Sequence, residues 1–244
     1  VAQILNLLYN LVDRMYIGHI PEASSLALTG VGITFPIISM ITAFANLFGM
    51  GGAPLCSMAR GRRDYDAAKR YMQNAFWMLL AAGVVLTVTG YVIEKPLLYA
   101  LGASSVTYPY ASSYLRIYLL GNMFVMVGIG MNPFINAQGF GTMGMVTVGL
   151  GALVNIILDP LFIFVFHMGV EGAAIATVIA QFLSALWVLF FLTGEKPDLR
   201  LKICWRKPEF TVVKEIVSLG LSNFFMLFTN SLVQVVCNRQ LQLY

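Results

Sequence analysis

Charge is what this chain has least of. Only 11% of its 244 residues are Asp, Glu, Lys or Arg, where a soluble domain carries about 25%. None falls between Glu22 and Arg60, Arg70 and Glu94, Glu171 and Glu195, or Glu215 and Arg239. Silent intervals of that length exclude an ordinary water-soluble fold. Cysteine is scarce as well. Cys56, Cys204 and Cys237 form no CxxC pair, which excludes a disulfide framework and argues for reduced thiols near the cytoplasmic side. His19 and His167 are too few for a metal centre. The glycine-rich run at 49–52 has no Lys after it and opens no soluble helix, so it is not a phosphate loop; close helix contact is its expected use.

Apolar residues are what is there. They make up 59% of the chain, and the mean hydropathy is +0.79. Seven hydrophobic segments can be counted, at 1–18, 29–53, 71–93, 110–137, 143–166, 172–192 and 212–237. Each is close to the ~20 residues that cross a bilayer core as a helix. Pro21 and Pro54 bracket the second, while Pro36, Pro133 and Pro160 lie inside segments, as membrane helices tolerate. The expected fold is an all-α polytopic transmembrane bundle.

The basic residues orient it. Arg60, Arg62, Arg63, Lys69 and Arg70 follow the second segment, and Lys196, Arg200, Lys202, Arg206 and Lys207 follow the sixth. The loops after the first and fifth carry no Lys or Arg, and that after the third only Lys95. Under the positive-inside rule the amino terminus and the even-numbered loops face the cytoplasm. These loops account for the net charge of +4 without any nucleic-acid partner. Arg14 and Arg116 are expected to snorkel to the outer interface. No cleavable signal peptide is visible, and the first segment can direct insertion itself.

Asp159 is the sharpest feature, the one charge between Gly139 and Phe166. Holding a carboxylate in a membrane helix costs roughly 3 kcal/mol on insertion scales, so such a residue faces the bundle interior and marks an ion, proton or substrate site. Topology groups it with others. Asp13 sits about five residues before the outer end of the first segment and Asp159 about seven before that of the fifth. Thr177 lies about five past the outer start of the sixth. At 1.5 Å per residue all three share a level roughly 7–10 Å deep. Asn155 is four residues before Asp159 and Gln181 four after Thr177, so each pair shares a helix face, with Ser184 continuing the stripe. Asn6, Asn10 and Asp13 follow the same logic, and Tyr9 precedes Asp13 by four. Asn6, Tyr9, Asn132 and Gln181 are expected to line a cavity. Pro160 lacks an amide hydrogen, so it kinks its helix and frees the Ile156 carbonyl. The resulting shell is made of hard oxygen donors, of the type that holds sodium. Thirteen methionines would suit an adaptable cavity, or simply fill apolar gaps.

Several runs then carry a resemblance: Tyr9-Asn10-Leu11-Val12-Asp13, Gly30-Val31-Gly32-Ile33-Thr34-Phe35-Pro36, Gly49-Met50-Gly51-Gly52-Ala53-Pro54, Asn155-Ile156-Ile157-Leu158-Asp159-Pro160 and Gly169-Val170-Glu171-Gly172-Ala173-Ala174-Ile175-Ala176-Thr177. Together they resemble the multidrug and toxic compound extrusion (MATE) family along essentially the whole chain. The resemblance implies twelve helices in two six-helix lobes and export of organic cations and drugs by alternating access. The exchange would be against sodium or protons, in a prokaryotic plasma membrane. It implies no cofactor beyond that ion and no enzymatic activity. In one prokaryotic branch an ion site of the amino-terminal lobe maps onto Asp13, Asn155, Asp159 and Thr177. The chain begins at Val1 inside an apolar run and stops at Tyr244 just past the seventh segment. The expectation is therefore a fragment: an amino-terminal lobe at 1–192 with its first helix truncated, a cytoplasmic linker at 193–210, and the first helix of a second lobe at 211–244. The missing carboxy-terminal lobe, membrane lipid and small organic cations are its expected partners.

Three other readings stand beside this one. A flippase for lipid-linked sugars needs a cationic cavity for a pyrophosphate, whereas the buried charges here are acidic. An intramembrane aspartyl protease needs two carboxylates sharing a proton within motifs resembling Tyr-Asp and Gly-x-Gly-Asp. This chain offers Val12-Asp13 and Leu158-Asp159. A membrane scaffold leaves the buried acids unexplained.

Overall fold

The computed structural model describes residues 15–16, 24–195, 197–201 and 209–243, and every regular element among them is helical. Helix α1 spans Ser24–Gly61, α2 Tyr65–Ala100, α3 Tyr108–Ala137, α4 Gly141–Pro160, α5 Gly169–Thr193 and α6 Phe210–Leu243. A π-helical turn, Leu161–Val165, prolongs α4. These are the second to seventh hydrophobic segments, and six of the described stretches are long and apolar enough to cross a membrane. Apart from Met15 and Tyr16, the first segment lies outside the described residues.

The helices overrun the apolar segments. Helix α1 has 38 residues, about 57 Å of rise against a hydrocarbon core of about 30 Å. Hydropathy marks only the part of a helix that lies in lipid, while backbone hydrogen bonding carries the helix on into the interface. Pro54 was expected to end the second segment; α1 instead runs through both Pro36 and Pro54 to Gly61. Each proline removes one hydrogen bond, a loss that neighbouring helices and local backbone adjustment absorb in membrane bundles. Charged caps appear only where water returns. Asp64 accepts the Ala67 amide at 2.9 Å and starts α2.

Helix α3 is the centre of the bundle and touches α1, α2, α4 and α5. Its buried face combines Leu115, Leu119, Met126, Met131 and Phe134 with Gly121, Gly128 and Gly130. Helix α6 packs antiparallel along α1. Ser231 donates to the Pro36 carbonyl at 2.8 Å, the Phe44 and Phe224 rings meet edge to face at 5.0 Å, and Gly51 and Gly220 let the two backbones touch. A Cβ on Gly51 would collide with the Ile216 carbonyl, and one on Gly220 with the Leu47 carbonyl. The chain between α5 and α6 is tied to the bundle end. Asp198 pairs with Arg60 at 2.6 Å, Leu199 donates its amide to Gln138 at 3.0 Å, and both Leu199 and Leu201 are buried. Glu209 forms an ion pair with Arg70 across 3.7 Å and donates its amide to Asn74 Oδ1 at 3.1 Å.

A second buried acid departs from expectation. Glu94 is only 4% exposed, and it accepts from the Ser112 hydroxyl and from Arg116 Nε at 2.8 Å. Arg116 therefore does more than snorkel: its guanidinium ties α2 to α3, although its side chain is 59% exposed. Glu94 reads in the sequence as the edge of a loop, because nothing local tells that α2 continues to Ala100.

Two stability measurements check these contacts. Gly220→Val should force α6 off α1 and destabilise by about 1–3 kcal/mol, the usual cost of overpacking, seen as a lowered thermal midpoint in detergent. Glu94→Ala should cost about 1 kcal/mol, because Ser112 and the partly solvated Arg116 lose their acceptor. An unchanged midpoint in either variant would show that the contact contributes nothing.

Candidate functional site

Two helices bring three of the sequence-predicted residues into direct contact. Asn155 and Asp159 follow each other by one turn on α4, with zero exposure, and Thr177 faces them from α5 at 3%. The Asn155 amide nitrogen donates to Asp159 Oδ1 at 3.2 Å and to Thr177 Oγ1 at 3.3 Å. The Thr177 hydroxyl gives its own proton to the Ala173 carbonyl one turn back, at 3.0 Å. That leaves its oxygen available to the amide. Asn155 Oδ1 has no hydrogen-bond partner among the described residues. The local sequence explains the approach. Gly172, Ala173, Ala174 and Ala176 give α5 a low surface on this side, and a Cβ on Gly172 would press on the Phe162 backbone.

Pro160 sits directly beyond Asp159, and there the α-helical pattern stops. Its ring nitrogen cannot bond the Ile156 carbonyl, and the chain continues as the π turn, closed by the Phe166 amide on the Leu161 carbonyl at 3.0 Å. The helix type changes after Pro160, from α to π. Tyr16 meets Phe164, within this turn, edge to face at 6.2 Å. Asn6, Tyr9 and Asp13, also expected at the site or its cavity, lie outside the described residues.

Closer to the Arg60 end of the bundle lies a cavity of about 730 Å³ between α1, α3, α4 and α5. Asn132 and Gln181, which the sequence reading assigned to a cavity, both line it. Sequence reasoning missed Thr42, Asn46, Asn136 and Thr147. A signal was available: Thr42–Asn46 and Asn132–Asn136 repeat the four-residue polar spacing that picked out Asn155–Asp159. Among the described residues, no charged side chain belongs to the lining. Ser184 joins α5 to α4 through the Thr147 carbonyl at 3.3 Å.

Chemically, the arrangement offers oxygen ligands without a nucleophile–base pair: a carboxylate, an amide oxygen, a hydroxyl and a proline-freed carbonyl. Such a set fits a hard monovalent cation or a proton.

The fold is shared with known proteins. The MatE family model matches residues 1–161. Multidrug export protein MepA of Staphylococcus haemolyticus (strain JCSC1435) is 28% identical over 244 residues, covering 100% of this chain and 54% of that protein. A solved inward-facing multidrug resistance MATE family transporter of the MOP superfamily superposes with a TM-score of 0.87 at 26% identity, covering 93% of this chain and 51% of its own. An outward-facing form, also at 26% identity, gives the same TM-score of 0.87, covering 95% and 51%. The chain spans about half the length of the curated relatives it matches. With its fold shared and most of its length matched, the chain belongs to the MatE family.

Proposed function

We propose that this chain is the amino-terminal lobe of a secondary active antiporter that exports organic cations and drugs in exchange for sodium or protons. In this reading residues 1–192 form the six-helix lobe, 193–210 the cytoplasmic inter-lobe linker and 211–244 the first helix of the second lobe. It resides in the bacterial plasma membrane with its amino terminus in the cytoplasm, the orientation that the basic residues after α1 and α5 favour. It is a transporter and carries out no covalent step.

The observation that carries the proposal is the buried Asn155–Asp159–Thr177 contact. A carboxylate at that depth is costly unless something binds there. Asp13 completes the shell in this reading: Tyr16, three residues on, touches the π turn after Asp159, and three residues of chain reach no further than about 11 Å. The coupling ion is substrate here. Asp159 takes the proton or ligates the sodium, the Asn155 amide oxygen and Thr177 hydroxyl supply further ligands, and the Ile156 carbonyl lies one turn away.

Neutralising the carboxylate removes the charge that the Asn155 amide holds, so α4 and the first helix can repack around the π turn. That repacking displaces drug outward. The equal similarity to inward- and outward-facing relatives supports a lobe that moves largely as one body. A lipid-linked sugar flippase needs a cationic cavity, and the described residues of the cavity wall include no Lys or Arg, which favours the antiporter.

The test is efflux of a fluorescent organic cation from proteoliposomes that hold the two-lobed protein. A sodium gradient and a proton gradient are imposed in turn, with Asp159→Asn beside the native sequence. Gradient-driven efflux should fall to background in Asp159→Asn, and the effective gradient names the ion. Efflux that survives the substitution overturns the site; no efflux under either gradient overturns the antiporter.

A further inference from the structure

The outer ends of α2 and α3 hold a charged cluster that the proposed ion site does not use. Helix α2 starts beside the basic turn at 60–63 and ends at Ala100, so Glu94 lies at the end of the bundle opposite the basic loops. There the two helices are cross-tied turn by turn. The Tyr99 and Tyr108 rings stack at 5.3 Å. One turn further in, Glu94 accepts from the Ser112 hydroxyl and from Arg116 Nε, and the Tyr91 hydroxyl donates to the Arg116 carbonyl at 2.7 Å. Beyond these groups, towards the middle of the span, Val84 and Val88 on α2 and Leu120 on α3 are exposed. Helical spacing puts Val84, Val88, Tyr91 and Lys95 on one face of α2, and Arg116 and Leu120 on one face of α3.

The charges of this cluster do not balance. Its one acid, Glu94, is buried, whereas Arg116 and Lys95 are both exposed, and Lys95 has no ion-pair partner among the described residues. Because Glu94 engages Nε, the terminal nitrogens of the guanidinium remain for a second acceptor. We propose that the outer groove between α2 and α3 binds one anionic phospholipid. Its phosphate sits between Arg116 and Lys95, and an acyl chain follows Val88, Val84 and Leu120. Each part of the groove meets the part of a lipid that lies at its depth. Guanidinium forks suit phosphate oxygens, tyrosine rings belong at the headgroup level, and the exposed aliphatic strip continues inward where hydrocarbon begins. Glu94 is the positioning residue, since it fixes the fork at the groove. The surplus positive charge selects an anionic lipid over a zwitterionic one, which brings its own cation. A soluble phosphate offers the same head chemistry but leaves the aliphatic strip unused.

The experiment uses the two-lobed protein in phosphatidylcholine nanodiscs, with Cys56, Cys204 and Cys237 replaced by Ala and a fluorophore attached at Val84→Cys. Quenching by phosphatidylglycerol with a nitroxide on its acyl chain is compared with quenching by phosphatidylcholine labelled in the same way. Phosphatidylglycerol should be preferred by about fivefold, the factor that one basic residue contributes at an anionic lipid surface. Lys95→Gln and, separately, Arg116→Gln should remove the preference, while Arg116→Lys keeps it. Quenching by the phosphatidylcholine probe reports whether the helix pair is intact in each variant. Where Arg116→Gln disturbs it, Lys95→Gln, which has no ion pair to lose, decides. Equal quenching by the two lipids in the native background overturns the site, as does a preference that survives Lys95→Gln. The same preference at a fluorophore on Leu153→Cys of α4 overturns it too, because the attraction is then general to the protein. Loss of the preference on adding glycerol 3-phosphate would make the ligand a soluble phosphate and overturn the lipid.

Discussion

Hydrocarbon offers no hydrogen bonds, and from that single constraint most of this structure follows. Every polar group below the interface has to find its partner inside the protein. Hydroxyls solve the problem locally: Thr42, Thr147, Thr177 and Thr229 each donate to the carbonyl one turn back. Amides solve it between helices. Asn122 on α3 reaches the Gly83 carbonyl and the Thr87 hydroxyl of α2, both at 3.0 Å. Asn155 does the same between α4 and α5, with the difference that one of its partners is a carboxylate. The candidate site is thus a variant of the device that holds the bundle together, converted from structural glue by one acid.

The second consequence concerns packing. Lipid tails are as apolar as Leu, so helices gain little by hiding apolar surface and associate through close contact instead. Small residues make that possible where backbones meet, as Gly51 and Gly220 do between α1 and α6. Aromatic pairs fill the wider gaps, for instance Phe124 with Phe182 at 4.8 Å and Phe140 with Phe191 at 5.2 Å. The chain superposes equally well on inward- and outward-facing relatives, with a TM-score of 0.87 for each.

Among the described residues, the α-helical pattern gives way to a π turn directly beyond the buried acid, where proline follows Asp159. Helix-type changes of this kind leave carbonyls short of donors, and they are frequent at functional sites for that reason. The change of helix type lies directly beyond Asp159, and Tyr16 packs edge to face on Phe164 of the π turn.

The all-helical membrane architecture, the six described spans and the shared level of Asn155, Asp159 and Thr177 were legible in the sequence. Hydropathy and the energetic cost of an intramembrane charge act over single helices, where spacing along the chain is spacing in space. The four-residue spacing from Thr177 also singled out Gln181, which lines the cavity, and motif resemblance pointed to the right family. Helix ends were not legible, since nothing in hydropathy reports how far a helix runs beyond the lipid, and Pro54 misled for the same reason. The Glu94–Arg116 tie, the α1–α6 seam and the cavity wall required tertiary structure. Each joins residues from different helices, and which faces meet depends on helix rotation and on the height of small side chains. A sequence states those ingredients one helix at a time; only packing decides which of them touch.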